Sequence, residues 1–138
     1  MITQSPTAGA VFTGINTIHT IVLTAEDESG NAEMCSFQIQ LIDEIPPSIT
    51  CPNNQLAMVN GCDYRLPDFS TEAIIADNCS APANIMITQS PMPDIVFTDT
   101  GIYEITLTAT DESGNSSQCS FFVELEIAFP ALPSIFGN

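Results

Sequence analysis

Positive charge is almost missing from this chain. Its 138 residues hold one Lys or Arg, Arg65, against 17 Asp plus Glu, for a formal net charge of -16. Nucleic-acid binding draws on several cationic side chains that release counterions, and one cannot supply that. An anionic membrane surface is excluded for the same reason. There is one His, His19, and no Trp, which leaves little material for imidazole metal centres or acid–base catalysis. No apolar run approaches the roughly 20 residues that cross a bilayer as a helix, so membrane insertion is not expected. Met1-Ile2-Thr3-Gln4 shows no basic stretch followed by an apolar one, so no signal peptide is visible in these residues.

What is present suffices for a core. Hydrophobic residues make up 44% of the chain, and the length allows one domain plus a piece of another. Five Cys without metal-type CxxC spacing favour disulfides and an oxidising, extracellular setting. Cys62 and Cys79 lie in loop-like sequence. An odd count leaves at least one Cys without a partner inside the chain.

An internal repeat organises the rest. ITQSP at 2–6 recurs at 87–91, and TIVLTAEDESGN at 20–31 recurs as EITLTATDESGN at 104–115. Cys35-Ser36-Phe37 recurs as Cys119-Ser120-Phe121, an offset of 84 residues. Val11-Phe12-Thr13 returns as Val96-Phe97-Thr98 at an offset of 85, so the later copy is one residue shorter there. Counting back 84 residues from Cys79 leads to a position before Met1. Residues 1–43 therefore read as the second half of a repeat, 44–127 as a whole repeat, and 128–138 as a tail or degenerate beginning of another.

The periodicity is two. Ile105, Leu107 and Ala109 alternate with Thr106, Thr108 and Thr110; Cys119, Phe121, Val123 and Leu125 alternate with Ser120, Phe122, Glu124 and Glu126. This predicts half-buried antiparallel strands joined at DESGN, where Gly accepts positive φ and Asp and Asn bond nearby backbone. Further strands are expected at 48–51, 55–59, 72–76 and 84–89, with prolines marking edges and loops. The fold class is all-β: an immunoglobulin-like antiparallel β-sandwich in tandem, one repeat complete and one partial.

PPSITCP at 46–52, Gly61-Cys62, ADNCS at 76–80, ITQSP at 87–91, LTATDESGN at 107–115 and QCSF at 118–121 together resemble the hyalin-repeat (HYR) family. The resemblance covers nearly the whole chain. It implies an immunoglobulin-like extracellular module, often in tandem arrays, associated with adhesion and surface structures, and without catalytic activity. The tail departs from the pattern, since it lacks the Cys expected near Phe136 or Gly137.

Several sites are candidates. Four Cys in the complete repeat, Cys51, Cys62, Cys79 and Cys119, allow three connectivities. The expected one is Cys51–Cys62, closing a short loop, with Cys79–Cys119 tying a loop to the last strand. Cys35 corresponds to Cys119, so it is expected to be unpaired or joined to something outside residues 1–138. No cofactor is expected unless Ca²⁺ binds through Asp43, Glu44, Asp77, Asp111 and Glu112; Asp43-Glu44 lies between the repeats, and oxygen ligands at loop tips suit that ion. No EF-hand spacing is present, and a solvated acidic surface is the competing account. His19 stands in a strand, in the slot of Tyr103, with no nucleophile motif beside it, and no enzyme is expected.

The opening half-repeat would leave Ile21, Leu23, Phe37, Ile39 and Leu41 facing water. Three resolutions are open: the chain is a piece of a longer array, which is the favoured one; the half packs on the complete repeat; or another copy completes it. In the last case Leu132, Ser134, Ile135 and Phe136 would add a strand to an exposed edge, which repeated head to tail makes a filament. The expected function is a structural or adhesive repeat, secreted or on a cell surface, whose partners are other repeats or other copies. The alternatives are a filament subunit assembling by strand addition and a glycan-binding module. The lack of Trp weighs against the last.

Overall fold

The computed structural model describes residues 1–128. Leu132, Ser134, Ile135 and Phe136, the residues assigned to strand exchange, lie outside them. The chain divides into two compact units, Met1–Glu44 and Ile45 onward. The described residues form strands and two short 3-10 turns and no α-helix.

The first unit is a three-stranded antiparallel sheet in the order β1-β2-β3, with β1 at Ile2–Ser5, β2 at Ile18–Glu26 and β3 at Ala32–Gln40. The β2–β3 hairpin closes over Asp27–Asn31. The Asp27 carboxylate accepts the backbone N–H groups of Ser29 and Asn31 at 2.8 and 2.9 Å and the Asn31 side-chain amide at 2.9 Å. Gly30 sits at φ 84°, a backbone region that a side chain disfavours. Local chemistry alone thus sets this turn.

The second unit carries β4 (Ser48–Thr50), β5 (Gln55–Val59), β6 (Tyr64–Arg65), β7 (Ile74–Ala76), β8 (Met86–Ser90), β9 (Val96–Phe97), β10 (Gly101–Thr110) and β11 (Ser116–Ile127). The main sheet runs β5-β11-β10-β8, and the pairs β4-β7 and β6-β9 supply the second layer. Ile105, Leu107, Phe121, Val123 and Leu125 of the main sheet meet Leu66 and Phe69, with Ile49, Cys51, Tyr64 and Phe97 packed against that cluster. This is an immunoglobulin-like sandwich, closed by the alternation of β10 and β11.

Four details depart from the sequence expectations. β5 pairs with β11 in parallel, Val123 against Gln55 through Ile127 against Val59, so the sheet is mixed. Segment 72–76 starts its strand only at Ile74, because Ser70–Glu72 makes a 3-10 turn, with Asp68 accepting the Ser70 N–H at 2.9 Å. Pro82–Asn84 is a second 3-10 turn that delays β8 to Met86. β6 and β9, two residues each, are too short for periodicity to reveal.

Candidate functional site

The one disulfide among the described residues joins Cys51 to Cys119, 68 residues apart, with Cα atoms 5.7 Å apart. The expected pairs Cys51–Cys62 and Cys79–Cys119 are therefore corrected. The reason is layering: Cys51 follows β4 in one sheet, Cys119 faces it from β11 in the other, and both border the core. Loop length, on which the expectation rested, says nothing about which strands face each other. Cys62 is an exposed thiol, and Cys79 accepts the Asn78 side-chain amide at 3.0 Å.

Of the five acidic residues singled out, the second unit brings three into one neighbourhood, where the loop after β7 meets the β10–β11 turn. Asp77 accepts the backbone N–H of Ser80 at 2.6 Å and of Cys79 at 2.9 Å through Oδ2. These bonds hold its carboxyl below the ordinary value of 3.8, Ser80 contributing most. Its Oδ1 is shielded from water and has no hydrogen-bond partner. Carboxylate oxygens of Asp77 and Asp111 lie within 4.8 Å of each other. Asp111 is buried and accepts Ser113 N–H, Asn115 N–H and the Asn115 amide, the same turn that Asp27 makes. Ser80 joins the two loops, its Oγ accepting the Glu112 N–H at 3.2 Å, while Glu112 accepts the Asn84 amide at 3.1 Å. Asp43, buried, and Glu44, exposed, end the first unit.

Sequence reasoning missed Gln89. It is nearly fully buried, accepts the Phe69 N–H at 2.8 Å and donates to the carbonyls of Pro67 and Pro91 at 3.0 and 3.2 Å. Its repeat of Gln4 was the available signal. Gln4 keeps only the local bond, to the Pro6 carbonyl at 3.1 Å. His19 packs on Phe12 in a tilted pair with ring centroids 4.4 Å apart, and its Nε2 lies 2.9 Å from Thr17 Oγ1. Tyr103 likewise stacks on Phe97 at 4.1 Å and donates to the Asp99 carbonyl.

The two copies of the hairpin share one register: Leu23 opposes Cys35 as Leu107 opposes Cys119, and Ile21 opposes Phe37 as Ile105 opposes Phe121. Their surroundings differ. Ile105 and Leu107 are fully buried and Phe121 is 3% exposed, whereas Phe37 is 50% exposed and Cys35 is exposed. Leu23, Ile39 and Leu41 are half-buried. Ile21, in the central strand, departs from expectation and is buried.

One family model, the HYR domain, matches residues 42–125, the stretch that holds the sandwich and the bonded Cys51 and Cys119. The chain belongs to the HYR family. This HYR chain is 29% identical to hyalin of Strongylocentrotus purpuratus over 119 residues, 84% of the chain and 10% of that protein. It is 32% identical over 111 residues to the sushi, von Willebrand factor type A, EGF and pentraxin domain-containing protein 1 of Rattus norvegicus and of Mus musculus, 77% of the chain and 3% of each relative. The HYR chain thus spans a tenth or less of the length of these relatives.

Proposed function

We propose that this HYR chain is an extracellular, non-enzymatic structural and adhesive module whose partners are other repeats or other copies of itself. The disulfide between the two layers carries this reading, because such bonds form and persist in oxidising compartments and this one closes the core of the HYR unit. The relatives, many times longer than this chain, support a part played within large assemblies. Among the described residues β3 of the first unit pairs only with β2, and that edge is where a strand of another copy would add. Beads coated with the oxidised chain are expected to cluster, and negative-stain images of concentrated protein to show end-to-end association. Dispersed beads and isolated particles would sink the reading.

A second reading follows from Asp77 and Asp111. The only Lys or Arg in the sequence is Arg65, which lies 3.8 Å from Asp94. No Lys or Arg is left for a pair of carboxylates within 4.8 Å, one with a shielded and unpartnered oxygen. We propose that a divalent cation such as Ca²⁺, a ligand of oxygen donors, supplies the countercharge. A site filled at about a hundred times its Kd stabilises by about 2.7 kcal/mol, so Tm in Ca²⁺ is expected to exceed Tm in EDTA. Asp77→Asn should abolish the difference; equal Tm values in the unaltered chain would remove the cation.

A further inference from the structure

The outer face of the main sheet in the second unit, the side turned away from the core, holds large apolar side chains in the open. Leu56, Ile102 and Phe122 are 62%, 67% and 45% exposed. They stand on β5, β10 and β11, with carboxylates set between them. Glu124 opposes Ile102 on one side and Leu56 on the other, and Glu104 opposes Phe122. Both glutamates are exposed. Opposed side chains in a sheet start about 5 Å apart, so one bound side chain reaches a carboxylate and its apolar neighbour together.

The fold does not require this pattern. The hairpin of the first unit keeps the same register, with Ile18 opposing Gln40 and Thr20 opposing Gln38. At the repeat offset, Glu104, Phe122 and Glu124 stand where the first hairpin has Thr20, Gln38 and Gln40. The earlier copy is neutral and polar at these three positions; the later one adds a ring and two negative charges. Single exposed apolar side chains are ordinary, whereas adjoining ones rimmed by polar groups mark an interaction surface.

We infer that this face docks a basic polypeptide segment of a different protein, one that presents Arg beside apolar side chains. Charge decides the occupant. A second copy would bring two faces of the same sign together, on chains of net charge -16, and like charges in contact oppose association. The chain's own Arg65 stands on β6, in the other layer, 3.8 Å from Asp94. Arg suits Glu104 and Phe122 better than Lys does: a planar guanidinium stacks on a ring while its N–H groups donate to a carboxylate. Apolar neighbours of that Arg cover Leu56 and Ile102, and Glu124 takes a second cation. This goes beyond the association between copies proposed above and stands or falls separately from it.

The test uses the full oxidised chain and two short, capped, fluorescent peptides, one alternating Arg with Val and the other Lys with Val. Fluorescence anisotropy at low salt is expected to show the Arg peptide bound about threefold tighter than the Lys peptide. Variants that restore the first copy's residues probe the face at exposed positions. Glu104→Thr with Glu124→Gln should weaken the Arg peptide about tenfold, and Phe122→Gln should erase the preference for Arg. Glu28→Gln with Glu72→Gln removes the same two charges elsewhere and should change the affinity by less than about twofold. Equal weakening by the two double variants would reduce the effect to net charge and overturn the site. Equal binding of the two peptides, or a preference for Arg that survives Phe122→Gln, would overturn the Arg-bearing occupant. Self-association of the chain that disappears in Phe122→Gln would put a second copy on this face and overturn the basic partner.

Discussion

Phe37 and Phe121 occupy one register position in two copies of the same hairpin, yet the first is 50% exposed and the second 3%. Phe121 meets Phe69 edge-on, ring centroids 5.0 Å apart and planes at 83°. Phe69 belongs to the loop ahead of β7, and the first unit has no counterpart of it. Burial of this register position therefore depends on the second layer and not on the strand that carries the side chain.

That contrast makes a mutational prediction. Phe121→Ala removes a packed ring and should cost about 3–5 kcal/mol in chemical denaturation of the second unit. Phe37→Ala, at a half-exposed position, should change stability by less than about 1 kcal/mol. Comparable losses would show that the first unit's face is sheltered in solution.

The Cys51–Cys119 bond closes a loop across 68 residues. By the loop-entropy model its removal costs about 4 kcal/mol, a figure that depends on that model. Cys119→Ser should lower Tm strongly, and reductant should lower the Tm of the unaltered chain but not of the variant. A reductant effect that persists in Cys119→Ser would place the sensitive bond elsewhere.

Gln89 and Gln4 offer a second paired test. Gln89→Ala leaves the buried Phe69 N–H without its acceptor and two carbonyls without their donor, a loss of about 1–3 kcal/mol. Gln4→Ala breaks one exposed bond and should be close to neutral. Thermal scans of the two variants side by side check this.

Acid should destabilise the chain through its turn carboxylates. Asp27 is held below 3.8 first by the Asn31 amide and then by backbone N–H groups, and Asp68 by Ser70. A carboxyl whose folded value is depressed contributes stability that is present above its unfolded value and is lost as pH falls through the folded one. Tm should be flat from neutral pH down towards 3.8 and fall below it. Asp27→Asn, which cannot titrate, should shallow that fall.

The alternation of β10 and β11 and the DESGN turn were legible because each is local: period two assigns faces, and Asp and Gly shape a turn within five residues. β6 and β9 were not legible, since strands of two residues carry no period. The cysteine pairing and the meeting of Asp77 with Asp111 were not legible either, because each joins segments distant in sequence.

The order of residues alone thus settled that the chain is all-β, which hairpins it forms and which face of each is apolar, since a strand's alternation and its turn are written in adjacent positions. The tertiary structure alone decided what covers each face. It joined Cys51 to Cys119, ran β5 parallel to β11, and buried Phe121 while leaving its twin exposed. An apolar face specifies that something must cover it, but which layer does so depends on contacts between segments dozens of residues apart.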